Sequence, residues 1–348
     1  MMQTKVLKPS HDAMMYASEL LHRGSLVAFP TETVYGLGAN ALEESAVRSI
    51  FAAKGRPADN PLIVHIADRC QLSDFCLRIP PKAEVLMDNF WPGPLTLLFE
   101  RTDVIPDVVT AGLPTVAVRM PSHPIAAALL KECGLPVAAP SANSSGKPSP
   151  TTAEHVWDDM RGKIPLILDG GSCDIGVEST VVDLCHGDPV ILRPGGITKD
   201  MLESALCTEI QIAGSVLRPL GKDEKALSPG MRYRHYAPSG NITLVEGSEE
   251  HVLQMLRQLY SDSVSQGKKS CVLCFTEHVS LLSDCVPHDL GSGKNPEEIA
   301  RNLFKTLRNL DAEGMEMIFS EVIPPEGVGL AVMNRLGRAA SFRTIHAD

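Results

Sequence analysis

Hydrophobic and polar positions along the first half of the chain switch repeatedly between a helical and an extended period, the signature of an α/β domain. Helical spacing marks residues 11–22, 42–54, 81–90 and 123–133, and a further helix starts near Thr152. Short apolar or alternating runs predict strands at 26–29, 62–66, 95–99, 115–120 and 135–139. Two more strands flank the glycine-rich turn within 167–184, and another ends at Arg193. In helix 42–54, Ala46, Ile50 and Phe51 share one face, and Gly55 and Pro57 stop it. In strand 115–120, Thr115, Ala117 and Arg119 point one way and Val116 and Val118 the other.

The periodicity loosens between about 207 and 238. There Arg218, Lys222, Lys225, Arg232 and Arg234 are opposed only by Asp223 and Glu224. The segment 208–238 reads as a basic linker, either a lid that folds over a pocket or a passive tether. Beyond it, strands near 242–245, 270–275 and 315–320, with a shorter one near His288, alternate with helices at 249–265, 296–311 and 327–340. That order predicts a smaller, Rossmann-like parallel sheet in 239–348. It lacks a glycine fingerprint, so it gives no support for a bound dinucleotide. Arg335 and Arg338, in its last helix, are expected at the surface.

Composition agrees with two domains. The 348 residues are 44% hydrophobic, enough for one core in 1–207 and a second in 239–348. No apolar run reaches the roughly 20 residues of a membrane span, and the first ten residues lack a signal-peptide core, so a cytoplasmic protein is expected. Nine cysteines without a framework fit a reducing compartment. Cys271 and Cys274 form the one C-x-x-C, in a strand pattern that sends them to opposite faces and argues against zinc or redox use. A formal net charge of -10 argues against a broad nucleic-acid-binding surface and leaves only local basic patches.

Candidate chemistry gathers around residues 29–66. The strand ending at Phe29 opens at Pro30 into hydroxyls, a carboxylate and an aromatic, closed by Gly36 and Gly38, where backbone can approach a ligand. Lys54 and Arg56 stand at a helix C-terminus; they either complement the helix dipole or, beside this polar turn and His65, bind an anion. His65 itself reads equally as a core histidine. The loop carrying Ser141, Asn143, Ser144, Ser145 and Ser149 precedes a helix N-terminus, where amides and hydroxyls hold phosphate, though such residues also make ordinary loops. Gly146-Lys147 is not a P-loop, because Ser141 and Pro148 fill the positions that need glycine and a hydroxyl. Arg56, Arg119 and Arg193 lie at or just past element ends, where α/β sheets bind ligands; for Arg119 a superficial edge position is the competing reading. Cations and hydroxyls without a catalytic triad, H-E-x-x-H or nucleophile elbow point to transfer at a nucleotide phosphate, where positioning and charge neutralisation do most of the work.

The motifs P-T-E-T-V-Y-G-L, K-G-R-P, S-A-N and G-V-E-S-T-V-V-D resemble the YrdC-like domain of threonylcarbamoyl-AMP synthases over residues 12–207. S-P-G-M-R-Y-R-H-Y-A-P and the tail resemble the two-domain members. The resemblance implies a twisted mixed sheet and an enzyme that joins L-threonine, bicarbonate and ATP into threonylcarbamoyl-adenylate, releasing pyrophosphate. The product serves the threonylcarbamoyladenosine modification of ANN-decoding tRNAs. It also implies Mg²⁺ held through ATP phosphates, with no direct protein ligand, and a downstream threonylcarbamoyl transferase machinery; direct RNA contact stays open.

By the same resemblance, Lys54, Arg56, Ser141 and Asn143 match the catalytic K-x-R and S-x-N elements. Arg56, Asn60, Thr115, Ser141, Ser149, Arg193 and Tyr236 match nucleotide contacts. Thr33, His65, Arg119, Ser179 and the backbone of Ala139 match threonine contacts, and Arg232 and Arg234 fall in the lid. Two other readings stand beside this one: a carbamoyl-adenylate-forming transferase, as in hydrogenase-maturation proteins, and a double-stranded-RNA-binding module. The intact K-G-R and S-A-N elements favour catalysis over simple binding.

Overall fold

Strands form in the first half of the chain where short apolar runs are bounded by proline or glycine, and one forms where the sequence reads as a turn. The computed structural model describes residues 2–216, 218 and 236–347. These divide into two units, one built from 2–145 and 149–216, the other from 146–148, 218 and 236–347. Lys222, Lys225, Arg232 and Arg234, assigned to the linker and lid, lie outside the described residues.

The strands of the first unit are β1 (Lys5–Leu7), β2 (Val27–Phe29), β3 (Gly36–Asn40), β4 (Ile63–His65), β5 (Leu95–Glu100) and β6 (Thr115–Arg119). They continue with β7 (Val137–Ala138), β8 (Leu166–Leu168), β9 (Thr180–Asp183), β10 (Val190–Arg193) and β11 (Gln211–Ile212). Together they form one 11-stranded mixed sheet in the order β1-β8-β2-β3-β7-β4-β6-β5-β9-β10-β11. β3 is the strand that looked like a turn, because G-L-G-A-N carries no β-branched residue. Its glycine is demanded by packing: a Cβ on Gly38 would stand 2.8 Å from both Phe29 on β2 and Val137 on β7.

One face of the sheet packs under helices around Leu37, Ile50, Phe99 and Val118. On the opposite face, helices His11–His22 and Pro124–Cys133 cover the region of Phe29, Val137 and Leu166. Farther along that face, from β4 to β10, lies a small apolar floor of Ile63, Leu98, Ala117, Val181 and Leu192. The polar candidates surround this floor.

The second unit is the parallel sheet that the alternation predicts. Its strands are β12 (Asn241–Gly247), β13 (Ser270–Cys274), β14 (Pro287–Asp289), β15 (Met317–Glu321) and β16 (Thr344–Ala347), in the order β14-β13-β15-β12-β16. Helices Glu249–Ser265, Pro296–Glu313 and Val328–Ala339 make the crossings. One expectation is corrected here. Arg335 and Arg338 are buried, not superficial: Arg335 is 0% exposed and its guanidinium lies 5.6 Å from the Tyr236 ring centre. Helix Val328–Ala339 also buries Leu330, Ala331, Val332 and Leu336, so little of its circumference is left for solvent, and the arginines stack on rings instead. No helix among the described residues is long and apolar enough to cross a membrane.

Candidate active site

Helix Glu44–Lys54 ends at Gly55, whose φ of 62° is the left-handed conformation that glycine adopts without a Cβ penalty. Lys54, just before it, is 5% exposed. Its Nζ donates to the carbonyl of Asn143 at 2.6 Å, to Asn143 Oδ1 at 3.3 Å and to the carbonyl of Ser141. An ammonium has three donors, and here three oxygens of one loop meet them. Ser141 Oγ donates to Asn143 Oδ1 at 2.5 Å, and Asn143 Nδ2 to the Ser144 carbonyl at 2.9 Å. The K-G-R and S-A-N elements are therefore one assembly, with Lys54 holding the loop.

Arg56 donates from Nη2 to the carbonyl of Asn60 at 3.1 Å, and its guanidinium lies 5.8 Å from the Phe51 ring centre. Asn60 is 2% exposed, yet neither its amide oxygen nor its nitrogen bonds to protein. A buried unsatisfied polar group costs about 1–3 kcal/mol, which makes the Asn60 amide a candidate ligand contact. Parallel β4 and β6 pair Ile63 with Ala117, which sets the segment preceding β4 beside Thr115.

A second group crosses the sheet in one lateral row. His65 pairs with Arg119, Arg119 with Thr96, Thr96 with Val181 and Val181 with Arg193. Arg119, 3% exposed, donates from Nη1 to Thr33 Oγ1 at 2.9 Å and from Nε to the Gly93 carbonyl at 3.2 Å. Its Nη2 stands 2.7 Å from Glu32 Oε1. Arg193 donates to the hydroxyl and the carbonyl of Ser179, each at 3.0 Å, and Ser179 Oγ lies 2.7 Å from Thr96 Oγ1. The Ser149 hydroxyl donates to the Glu178 carboxylate. The Ala139 amide is taken by the Ile63 carbonyl at 2.9 Å, so a ligand would meet Ala139 at its carbonyl.

Charge in this row is closely balanced. Burial pushes the Glu32 carboxyl up, but the Arg119 charge and the hydrogen bonds it accepts outweigh burial and hold it below the usual carboxylate range. Burial, then the Arg119 charge, push His65 down to about 3, so its imidazole is neutral at physiological pH. Sequence reasoning saw Glu32 only as one polar residue of its turn. The signal was the acidic residue within P-T-E-T, which becomes meaningful only beside Arg119.

The arginines do not share one edge of the sheet. Arg56 precedes β4, whereas Arg119 and Arg193 end β6 and β10. Thr115 and Arg119 face the same way from opposite ends of β6, ~13 Å of strand apart, with Ala117 of the apolar floor between them. Tyr236 belongs to the second unit, where it is buried with its ring stacked 5.4 Å from that of Phe304. Among the described residues, no three His, Cys, Asp or Glu side chains are grouped to hold a metal ion.

Known proteins share this architecture. Residues 19–195 match the Sua5/YciO/YrdC family model, described as Telomere recombination, and residues 197–341 match that of the threonylcarbamoyl-AMP synthase C-terminal domain. A threonylcarbamoyl-AMP synthase of Pyrococcus abyssi is 51% identical, with 94% of each chain covered. One of Bacillus subtilis is 48% identical over 98% of this chain and 97% of its own. The crystal structure of P. abyssi Sua5 complexed with L-threonine has a TM-score of 0.92 and 48% identity, covering 100% of both chains.

Proposed function

Because this chain belongs to the Sua5/YciO/YrdC family and carries the threonylcarbamoyl-AMP synthase C-terminal domain, we propose that it forms L-threonylcarbamoyladenylate from L-threonine, bicarbonate and ATP. The adenylate then supplies a threonylcarbamoyl transferase machinery that modifies tRNA. The observation that carries this reading is the full-length likeness to a relative crystallised with L-threonine.

The threonine amine and bicarbonate condense to a carbamate and water. A carbamate oxygen attacks the α-phosphate, the bond from that phosphorus to the bridging oxygen breaks, and pyrophosphate leaves. Five guanidinium N–H donors are available on Arg119; three face Gly93, Thr33 and Glu32, and one on each Nη remains for the substrate carboxylate. Thr33 and Ser179 offer hydroxyls, the Ala139 carbonyl an acceptor, and neutral His65 a wall that adds no charge. At the other end of the floor, Arg56, Lys54 and the unsatisfied Asn60 amide place and neutralise the triphosphate, with Ser141, Asn143 and Thr115 as further contacts there, and Ser149 and Arg193 add nucleotide contacts from the side of Ser179. Mg²⁺ would accompany ATP as part of the substrate and would add charge neutralisation at its phosphates beside that of Arg56 and Lys54. Because the carbamate is labile, excluding water is part of the task.

The test is pyrophosphate release from Mg·ATP. Release that requires both L-threonine and bicarbonate supports the synthase. Release with carbamoyl phosphate in their place indicates a carbamoyltransferase, and steeply salt-dependent duplex-RNA binding without turnover indicates an RNA-binding module.

A further inference from the structure

The carboxyl ends of β12, β13 and β15 surround a cavity of about 820 Å³ within the second unit. Open parallel sheets bind ligands at these ends, where successive connections depart to opposite sides. The chain leaves β13 toward β14 at one edge and β15 toward β16 at the other, so the departure point lies between neighbours β13 and β15. The volume is that of a small-molecule site.

Its walls are partly apolar, with Phe275 following β13, Ile323 following β15 and Val252 from helix Glu249–Ser265. Its polar side is acidic. His278 Nδ1 lies 2.7 Å from Glu321 Oε1, its Nε2 3.5 Å from Glu249, and Glu321 also accepts the Phe275 amide at 2.8 Å. Glu246 and Glu277 add two further carboxylates, against Lys294 as the lysine of the lining. This excess of negative charge repels phosphates and attracts cations.

We propose that this cavity is a second ligand site, taking a small molecule with a protonated amine on an apolar body. The amine sits among the carboxylates of Glu246, Glu249 and Glu321, and the apolar part lies against Phe275, Val252 and Ile323. The site is independent of the adenylate-forming reading.

The test uses the full chain with ¹³C-labelled Ile, Leu and Val methyls, titrated with phenethylamine and tyramine and with the matched 2-phenylethanol and 3-phenylpropionate. Saturable shifts at Val252, Leu281 and Ile323 are expected from the amines, with the alcohol and the acid binding about tenfold more weakly. The Glu246→Gln/Glu249→Gln variant changes side chains that are 57% and 74% exposed, so it should fold normally. It should bind the amines about threefold more weakly or worse at low ionic strength. Equal or tighter binding of the acid, unchanged affinity in that variant, or no saturable cavity shifts from either amine overturns the proposal.

Discussion

Glu32 and Arg119 form a buried ion pair: Oε1 of one stands 2.7 Å from Nη2 of the other, with side chains 8% and 4% exposed. Such a pair adds little net stability over an apolar replacement, but removing one member strands a charge. In this site the pairing also fixes the orientation of the Arg119 guanidinium.

Glu32→Gln should therefore cost about 3 kcal/mol in urea unfolding at pH 7, the usual consequence of an uncompensated buried cation. The acid limb should change as well. The folded-state carboxyl lies below its ordinary value of 4.5, so its contribution is complete above that pH and fades as pH falls through the depressed value. Wild type should lose this increment in acid and the variant should not. An unfolding free energy within about 0.5 kcal/mol of wild type, or an identical acid limb, would show that the pair is not coupled to folding.

Arg56→Ala should lower adenylate formation by about 10²–10³-fold, the scale for losing one charge-stabilising donor. Arg56 is only half-buried and donates to the Asn60 carbonyl, so stability should fall by about 1 kcal/mol, far less than activity. Pyrophosphate release and the urea midpoint, measured on the same preparation, separate the two effects. Turnover close to wild type would remove Arg56 from the reaction.

Periodicity, with Gly and Pro as punctuation, was enough to read the longer helices and most strands, including the helix end that presents Lys54 and Arg56, though not helix Lys199–Leu206. It failed at β3, because a glycine chosen for close packing is indistinguishable in sequence from one chosen for a turn. It failed again at Arg335 and Arg338, since a cation stacked on a ring in the interior has the same letter as one in water. The site was legible as a set of residue types. The docking of Lys54 into the 141–143 loop, and the coupling of Arg119 to Glu32, depend on pairings between distant strands that no local pattern encodes.

Gly38→Ala tests the packing account of β3. The added methyl would meet Phe29 and Val137 at 2.8 Å, so overpacking should cost about 1–3 kcal/mol. Gly36→Ala is the internal comparison, because its new Cβ would meet Ala139 at 3.4 Å, ordinary contact or close to it. Thermal or urea midpoints should place Gly38→Ala well below Gly36→Ala. Equal stabilities would mean that the strand has room that the structure does not show.

His65 should make the protein less stable as pH falls, although its own charge never appears in the folded state over most of that range. Burial and Arg119 hold its folded value at about 3 against an ordinary 6.5, so between these limits the unfolded chain binds a proton that the native protein refuses. Stability is thus independent of His65 above about pH 6.5 and declines below it by about 1.4 kcal/mol per pH unit. His65→Gln should flatten the urea-unfolding profile by that slope between pH 6 and pH 4, whatever it costs at pH 7. The imidazole ¹⁵N resonances of wild type should stay those of a neutral ring over the same interval. A titration midpoint near 6.5 would place His65 in contact with water and remove it from the buried row with Arg119.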